Sequence, residues 1–264
     1  MSILIEKTLF GTRDMVKTAI ERIREFGAMY SKKPLHLAFS GGKDSIVCDR
    51  LCAMSGVPYN RHYAVTTVDP PELLRLIRDE YPGTIWHKPE HSMWTLIPQN
   101  GMPPLRQQRY CCRFLKESVL PGDGALCVTG IRWAESGRRS KRVMYEPRKK
   151  TSSYYLHPII DWKDSHIWEF IRQENIPYCR LYDEGFKRLG CVLCPQQGQK
   201  EMRRDAELWP KIAAAYVRAL DAAIVKRKET GKKCDWESGA EWFDWWVGVN
   251  QEDGDDCSLP LFDN

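Results

Sequence analysis

A short apolar stretch, Leu35-His36-Leu37-Ala38-Phe39, runs through Ser40-Gly41-Gly42-Lys43-Asp44-Ser45 into Ile46-Val47-Cys48-Asp49-Arg50-Leu51-Cys52-Ala53-Met54, which reads as a helix. A strand that hands over to a helix through adjacent glycines can turn sharply and bring its backbone close to an anion. The first amides of the helix have no internal partners and point at whatever lies in the turn. Lys43 adds a full positive charge, and Ser40 and Ser45 add hydroxyl donors. The spacing is not that of the Walker loop, which needs four residues between its first glycine and the Gly-Lys pair. A structural turn has no use for Lys, Asp and two Ser together, so the segment reads as a phosphate-binding loop.

The surrounding pattern fits an α/β protein. Residues 13–30 read as an amphipathic helix, with Met15, Ala19, Ile23 and Phe26 at spacings of three or four. Strands are expected at 35–39, 62–66, 84–87, 125–129 and 155–159, and a helix at 71–80 with proline in its first turn. The alternation predicts a parallel five-stranded sheet flanked by helices. Ligands of such sheets bind at the C-terminal strand ends. The Ser40 loop, Asp69 and Gly130-Ile131-Arg132 all follow strands and are expected to converge on one crevice. From Asp164, a plausible N-cap, the pattern turns helical, with a helix over 200–228 broken at Pro210 and a Trp-rich helix over 238–247. The reading is a nucleotide-binding α/β domain over 1–160, a helical C-terminal part over 161–249 and an acidic tail over 250–264.

The 264 residues suit one large domain or a domain with an appendage. No run of about 18 apolar residues exists, so no membrane span is expected. The N-terminus does not read as a secretory signal. The formal charge of +5 permits a nucleic-acid partner without arguing for one. Ten cysteines without a secretory signal are expected to be reduced thiols in a cytoplasmic protein. The vicinal pair Cys111-Cys112 and the Cys191-Val192-Leu193-Cys194 motif together offer four thiolates, a set suited to zinc or an iron–sulfur cluster. Cys179 is a rival fourth ligand; Cys48, Cys52 and Cys127 read as core, Cys234 and Cys257 as surface thiols.

The Ser40–Ser45 loop after a first strand resembles the PP-loop of the adenine nucleotide alpha-hydrolase superfamily. That group includes ATP pyrophosphatases, thiolation enzymes and phosphoadenylyl-sulfate (PAPS) reductases. The stretch from Asp161-Trp162 through Leu181-Tyr182 to Gly190-Cys191 and Cys194-Pro195 is similar to the DndC-like thiolation branch, and the likeness runs from about Leu35 to Pro195. Gly130-Ile131-Arg132-Trp133-Ala134-Glu135-Ser136-Gly137-Arg138-Arg139 resembles the family's Gly-x-Arg-x-x-Glu/Gln-Ser-x-x-Arg segment.

This resemblance implies ATP across the strand ends, with Mg²⁺ on its phosphates. The nucleotide-binding set would be Ser40, Gly41, Gly42, Lys43, Asp44, Ser45, Asp69, Gly130, Arg132, Glu135, Ser136 and Arg139, with Lys43, Asp44 and Arg132 catalytic. It also implies a 4Fe-4S cluster on Cys111, Cys112, Cys191 and Cys194, as in adenylyl-sulfate reductases, with zinc the alternative. The implied reaction releases pyrophosphate, adenylates an acceptor (a nucleic acid among the candidates) and lets sulfur displace AMP, supplied by a donor such as a cysteine desulfurase. A second implied activity is reduction of PAPS or adenylyl sulfate with thioredoxin, releasing sulfite, the phosphosulfate lying against Arg132 and Arg139. Those reductases carry a catalytic Glu-Cys-Gly, which does not occur here; Cys234 and Cys257 are the C-terminal candidates and neither matches. They usually also have a degraded loop, whereas this one is intact, which favours ATP. A nucleotide-binding subunit without catalysis is the third reading. Acceptor, donor and oligomeric state are not named by the sequence.

Several residues keep two readings. Asp69 could hold Mg²⁺ or ribose, or cap the 71–80 helix. Glu135 could orient an arginine or hold Mg²⁺. The basic run of Arg138, Arg139, Lys141, Arg142, Arg148, Lys149 and Lys150 could grip a nucleic-acid backbone or be a solvated loop. Trp236, Trp242, Trp245 and Trp246 could stack on bases, but their helical spacing favours packing.

Overall fold

The structure is a computed structural model describing residues 4–8, 11–30, 33–122, 124–149 and 151–249. The expected acidic tail with Cys257, and Lys150 of the basic run, lie outside the described residues. In chain order the elements are β1 (Ile5–Thr8), β2 (Gly11–Asp14), α1 (Met15–Met29), β3 (Leu35–Ala38), α2 (Lys43–Ser55), β4 (Tyr59–Ala64), α3 (Pro71–Glu80), β5 (Ile85–His87), α4 (Met93–Asn100), α5 (Tyr110–Leu115), β6 (Leu126–Val128), β7 (Tyr145–Pro147), β8 (Tyr154–Leu156), α6 (Asp164–Gln173), α7 (Gln199–Leu208), α8 (Pro210–Glu229) and α9 (Gly239–Val247).

Six strands make one sheet in the order β5-β4-β3-β6-β8-β7. The five expected strands are present and pair in parallel. The expectation of five strands is corrected by a sixth, β7, which pairs antiparallel with β8 at the edge. Pro147 ends it, a residue an edge strand tolerates because one of its sides needs no N–H donor. The units β3–α2–β4 and β4–α3–β5 step in one direction, and the chain then returns to the other side of β3 to form β6. The order reverses between β3 and β6, which is where such sheets open a ligand crevice.

The chain divides into two compact units. The first comprises Met1–Val65, Pro71–Lys88 and Lys116–Gly190 and holds the sheet with α1, α2, α3 and α6; the second comprises Thr66–Pro70, Pro89–Leu115 and Cys191–Asn264. The expected boundary after residue 160 does not separate them, because α6 and the chain up to Gly190 belong with the sheet.

In the first unit α1 starts where Asp14 accepts a hydrogen bond from the Lys17 amide (2.9 Å). It buries Met15, Val16, Ala19 and Ile23, and Met15, Val16 and Ile23 each contribute about 1.5–3 kcal/mol. Leu35, Leu37, Leu126, Val128 and Leu156 supply the buried residues of the central strands, and Ile46, Val47 and Leu51 those of α2. In the second unit Tyr216 of α8 lies 5.2 Å from Trp94 of α4 and 5.1 Å from Trp246 of α9, ring to ring. Trp242 and Trp246 are buried, and the Trp246 indole donates to the Pro104 carbonyl (3.0 Å). Packing is therefore the work of these tryptophans. The break at Pro210 falls as expected, with Pro210 opening α8.

Candidate functional site

The loop is closed by its own serines. Ser45 Oγ donates to the Gly42 carbonyl (2.9 Å), and Ser40 Oγ donates to Ser45 Oγ (3.2 Å). Both hydroxyl protons are thereby used inside the turn. Gly41 has φ +71°, and a Cβ there would stand 2.8 Å from side-chain carbons of both Leu73 and Ile77. Conformation and space both require glycine.

Lys43 is buried, 6% exposed. Its amide donates to the Tyr182 hydroxyl (2.9 Å) and its ammonium to the Lys187 carbonyl (3.0 Å), with Asp164 Oδ1 at 3.6 Å. The Tyr182 ring lies under the ammonium, 5.8 Å from its centroid, and burial pushes the Tyr182 hydroxyl above its ordinary pKa.

Gly130 brings the second loop against the first, since a Cβ there would lie 2.9 Å from the Asp44 backbone. Arg132 follows, 2% exposed. Its Nε donates to Asp44 Oδ1 (2.7 Å), Nη1 to the Trp162 carbonyl (3.2 Å) and Nη2 to Asp164 Oδ1 (2.6 Å). Burial works against its charge, but the Asp44 and Asp164 carboxylates outweigh it and hold its pKa above the ordinary value. Burial raises the Asp44 pKa, against the pull of Arg132 and Lys43. In this structure the Arg132 fork is occupied by two carboxylates and a carbonyl, and it braces Asp44.

Glu135 orients this turn by accepting from the Arg132 amide (2.9 Å) and pairing with Arg139. Ser136 closes the next turn, its carbonyl accepting from the Arg139 amide (2.9 Å). Within the basic run, Arg139 is neutralised by Glu135 and Arg142 by Glu146. Asp164 was expected as an N-cap, but Lys163 takes that place and Asp164 turns to Arg132 and Lys43. Tyr182, Lys187 and the site role of Asp164 were missed. The Gly-Lys loop and the Gly130-x-Arg132 segment come together within the first unit, whereas Asp69 belongs to the second. There its carboxylate accepts from the Thr66 amide (2.8 Å) and closes that turn.

The four cysteines expected as ligands all belong to the second unit; Cys179 belongs to the first. The nine cysteines among the described residues are free thiols, and Cys48, Cys52 and Cys127 are buried as expected. Cys111 is pushed well above the ordinary thiol pKa by its hydrogen bond to Cys112, by burial and by the charges of Cys112, Cys191 and Cys194. Among the described residues no group of three or more His, Cys, Asp or Glu side chains is gathered so as to hold a metal ion. The Cys191–Cys194 turn is shaped by Asp205 of α7, which accepts from the Leu193 amide (3.0 Å) while Leu193 holds φ +58°. The Val192 amide donates to the Val68 carbonyl (2.8 Å).

A mostly parallel sheet, flanked by helices and carrying a glycine–lysine loop at its switch point, defines an α/β protein of the PP-loop type. The chain belongs to the phosphoadenosine phosphosulfate reductase family: the model of that domain matches residues 34–197, more than half of its length. It is 30% identical over 193 residues to the uncharacterized protein MJ0066 of Methanocaldococcus jannaschii, covering 69% of this chain and 40% of that one. It is 29% identical over 145 residues to an adenosine 5'-phosphosulfate reductase of Oceanobacillus iheyensis, covering 52% and 60%. The chain thus spans about half the length of these relatives. The crystal structure of a PAPS reductase from Candida auris in a phosphate complex has a similar fold, with a TM-score of 0.51, 16% identity, and coverage of 66% of this chain and 88% of that one. No helix among the described residues is long and apolar enough to cross a membrane.

Proposed function

We propose that this protein cleaves ATP between its α and β phosphates, adenylates an acceptor and supports sulfur transfer to it. An acceptor oxygen attacks the α phosphorus, the bond to the bridging oxygen breaks, and pyrophosphate leaves into the Ser40–Ser45 loop. Acceptor-bound AMP is then displaced by sulfur from a separate donor. Preorganised donors at the loop stabilise charge growing on the leaving group.

One observation carries this reading. The Lys43 amide and ammonium are held by three oxygens of the protein, those of Tyr182, Lys187 and Asp164. Each is an acceptor that a phosphate oxygen can replace. Gly41 and Gly42 give the backbone approach, Arg132 keeps Asp44 in place, and Asp44, Asp164 and Glu135, the carboxylates bonded to Arg132, are the candidates for Mg²⁺.

The four thiols of the second unit fit an iron–sulfur cluster in donor chemistry. A lone zinc would need all four within about 2.3 Å of one point. Cys111, Cys112, Cys191 and Cys194 would hold the 4Fe-4S cluster, which when bound supplies a sulfur-rich, redox-capable centre.

The test is pyrophosphate release from ATP by the wild type and by Lys43→Ala. We expect the variant to lose about a hundredfold or more; unchanged turnover removes the loop assignment. The reductase reading is favoured by the naming of the Oceanobacillus iheyensis relative. Sulfite release from adenylyl sulfate or PAPS with thioredoxin, without ATP, would establish it over sulfur transfer.

A further inference from the structure

The second unit holds a cleft that the proposed reaction does not use. It has a volume of about 400 Å³ and is lined by Asn100, Met102, Gln108, Arg109, Tyr110 and Arg113, between the end of α4 and the start of α5. All of these residues belong to the second unit. The walls are tied down. The Tyr110 hydroxyl donates to the Met102 carbonyl (2.7 Å), and the Leu105 amide donates to the Gln108 carbonyl (3.2 Å). Arg227 Nη1 donates to the Gly101 carbonyl (3.1 Å), and Gln196 Nε2 donates to the Arg106 carbonyl (3.0 Å).

The chemistry of the lining is one-sided. It contains no Asp or Glu, and among the described residues no carboxylate pairs with Arg109 or Arg113. The Tyr110 hydroxyl proton is spent on Met102, and an Asn100 amide proton on the Leu96 carbonyl (2.7 Å). What is left for a ligand is dominated by donors: the guanidinium forks of Arg109 and Arg113 and the Gln108 amide, all three exposed. The Phe114 ring lies under the Arg113 guanidinium, 4.8 Å from its centroid, and favours its charge. The Cys112 amide donates to the Arg109 carbonyl (3.1 Å), so the turn of α5 reaches back to Arg109. Arg109 and Arg113 therefore stand at neighbouring i and i+4 positions, where like charges repel. A carboxylate brings one charge and two oxygens, which a single fork satisfies. A tetrahedral dianion brings a second charge and further oxygens, enough for both forks.

We propose that this cleft binds a dianionic tetrahedral oxyanion, a sulfate, thiosulfate or phosphate group, between Arg109 and Arg113. Gln108 supplies a further donor. The volume is that of a small-molecule site and exceeds what one such ion fills. Met102 and the Tyr110 ring offer apolar surface for whatever carries the oxyanion. The inference rests on no part of the nucleotide reading and gives the second unit a binding site of its own.

The test is calorimetry in buffer free of sulfate and phosphate, with sodium sulfate, sodium thiosulfate and phenyl phosphate as probes, on wild type, Arg109→Gln, Arg113→Gln, Arg106→Gln and Lys43→Ala. At least one probe should bind the wild type, and Arg109→Gln and Arg113→Gln should each weaken it about tenfold. Arg106 is exposed and outside the lining. Arg106→Gln removes the same charge and should leave the affinity unchanged; an equal loss there would mean diffuse attraction and overturn the site. The three arginines are exposed, and unchanged melting temperatures confirm that the variants fold. Binding that survives in Lys43→Ala and is lost in the two cleft variants belongs to the cleft. Binding lost in Lys43→Ala and kept in the cleft variants belongs to the loop, which overturns this site and leaves the nucleotide reading intact. Wild type that binds none of the probes at about 10 mM overturns it as well. Where the site stands, phenyl phosphate binding more tightly than both inorganic ions identifies an oxyanion carried on an organic molecule, and the reverse order a free ion.

Discussion

At Lys43 the amide and the ammonium are both satisfied by oxygen acceptors of the protein. Such a satisfied site has a thermodynamic consequence. A ligand that replaces Tyr182 at the Lys43 amide gains one hydrogen bond and breaks another, so the tyrosine lowers affinity by about what it adds to the free protein. Tyr182→Phe should therefore destabilise the free protein by about 1 kcal/mol and tighten pyrophosphate or ATP binding about fivefold. Thermal melting and calorimetry on the same preparation check the two halves. Weaker binding by the variant would mean that Tyr182 touches the ligand and does not merely hold its place. The partners in this cluster mark what the sequence could convey. Gly41, Gly42, Lys43 and Gly130 were legible because their backbone and charge requirements are local. That Arg132 would spend its fork on Asp44 and Asp164 was not, since the three come from segments brought together only by the fold.

On the scale of elements, the Cys191–Cys194 turn depends on a carboxylate from a neighbouring helix. Asp205 Oδ2 accepts from the Leu193 amide (3.0 Å) and from Gln197 Nε2 (2.5 Å), and the carboxyl is buried, 3% exposed. It keeps a left-handed residue inside a two-residue spacing between thiols. Asp205→Ala removes the one oxygen that accepts both bonds. We expect a loss of about 1–3 kcal/mol in stability. We also expect less iron and sulfide in anaerobically purified protein, with weaker absorbance near about 400 nm. Wild-type protein that is colourless and holds zinc would overturn the choice of cluster; unaltered iron content in the variant would show that the turn holds without Asp205. The parallel strands and α1, α3, α7 and α8 were legible as periodic runs with clear ends. Five elements gave no such signal. β1 and β2 have only four residues each. α4 carries Pro98 in its interior, which reads as a break. α5 has six residues and β7 three, too few for a period to show.

Across the sheet unit, acid stability is governed by histidines that the fold keeps neutral. His36 of β3 is 7% exposed and stacks on His62, with 3.8 Å between ring centres. Burial, and then the charges of His62, His87 and Arg148, lower its pKa to about 3. His157 is lowered to about 4, again first by burial. In the unfolded chain both titrate near pH 6.5. Their neutral forms therefore cost nothing above about pH 6.5. Below it the unfolded state binds protons that the fold refuses, and stability falls with pH until each folded value is passed. Each ring contributes a slope approaching about 1.4 kcal/mol per pH unit within that window. Asp161, held below the ordinary carboxylate range by Arg22 and Arg13 against burial, adds its own loss only at lower pH, below about 3.9. Most of the decline between pH 7 and pH 5 should thus come from histidine. Urea unfolding at those two pH values should show a markedly lower midpoint at pH 5, and His36→Asn should reduce the difference. A wild-type midpoint equal at both pH values would mean that water or a counter-charge reaches the rings and that they are not held neutral by burial.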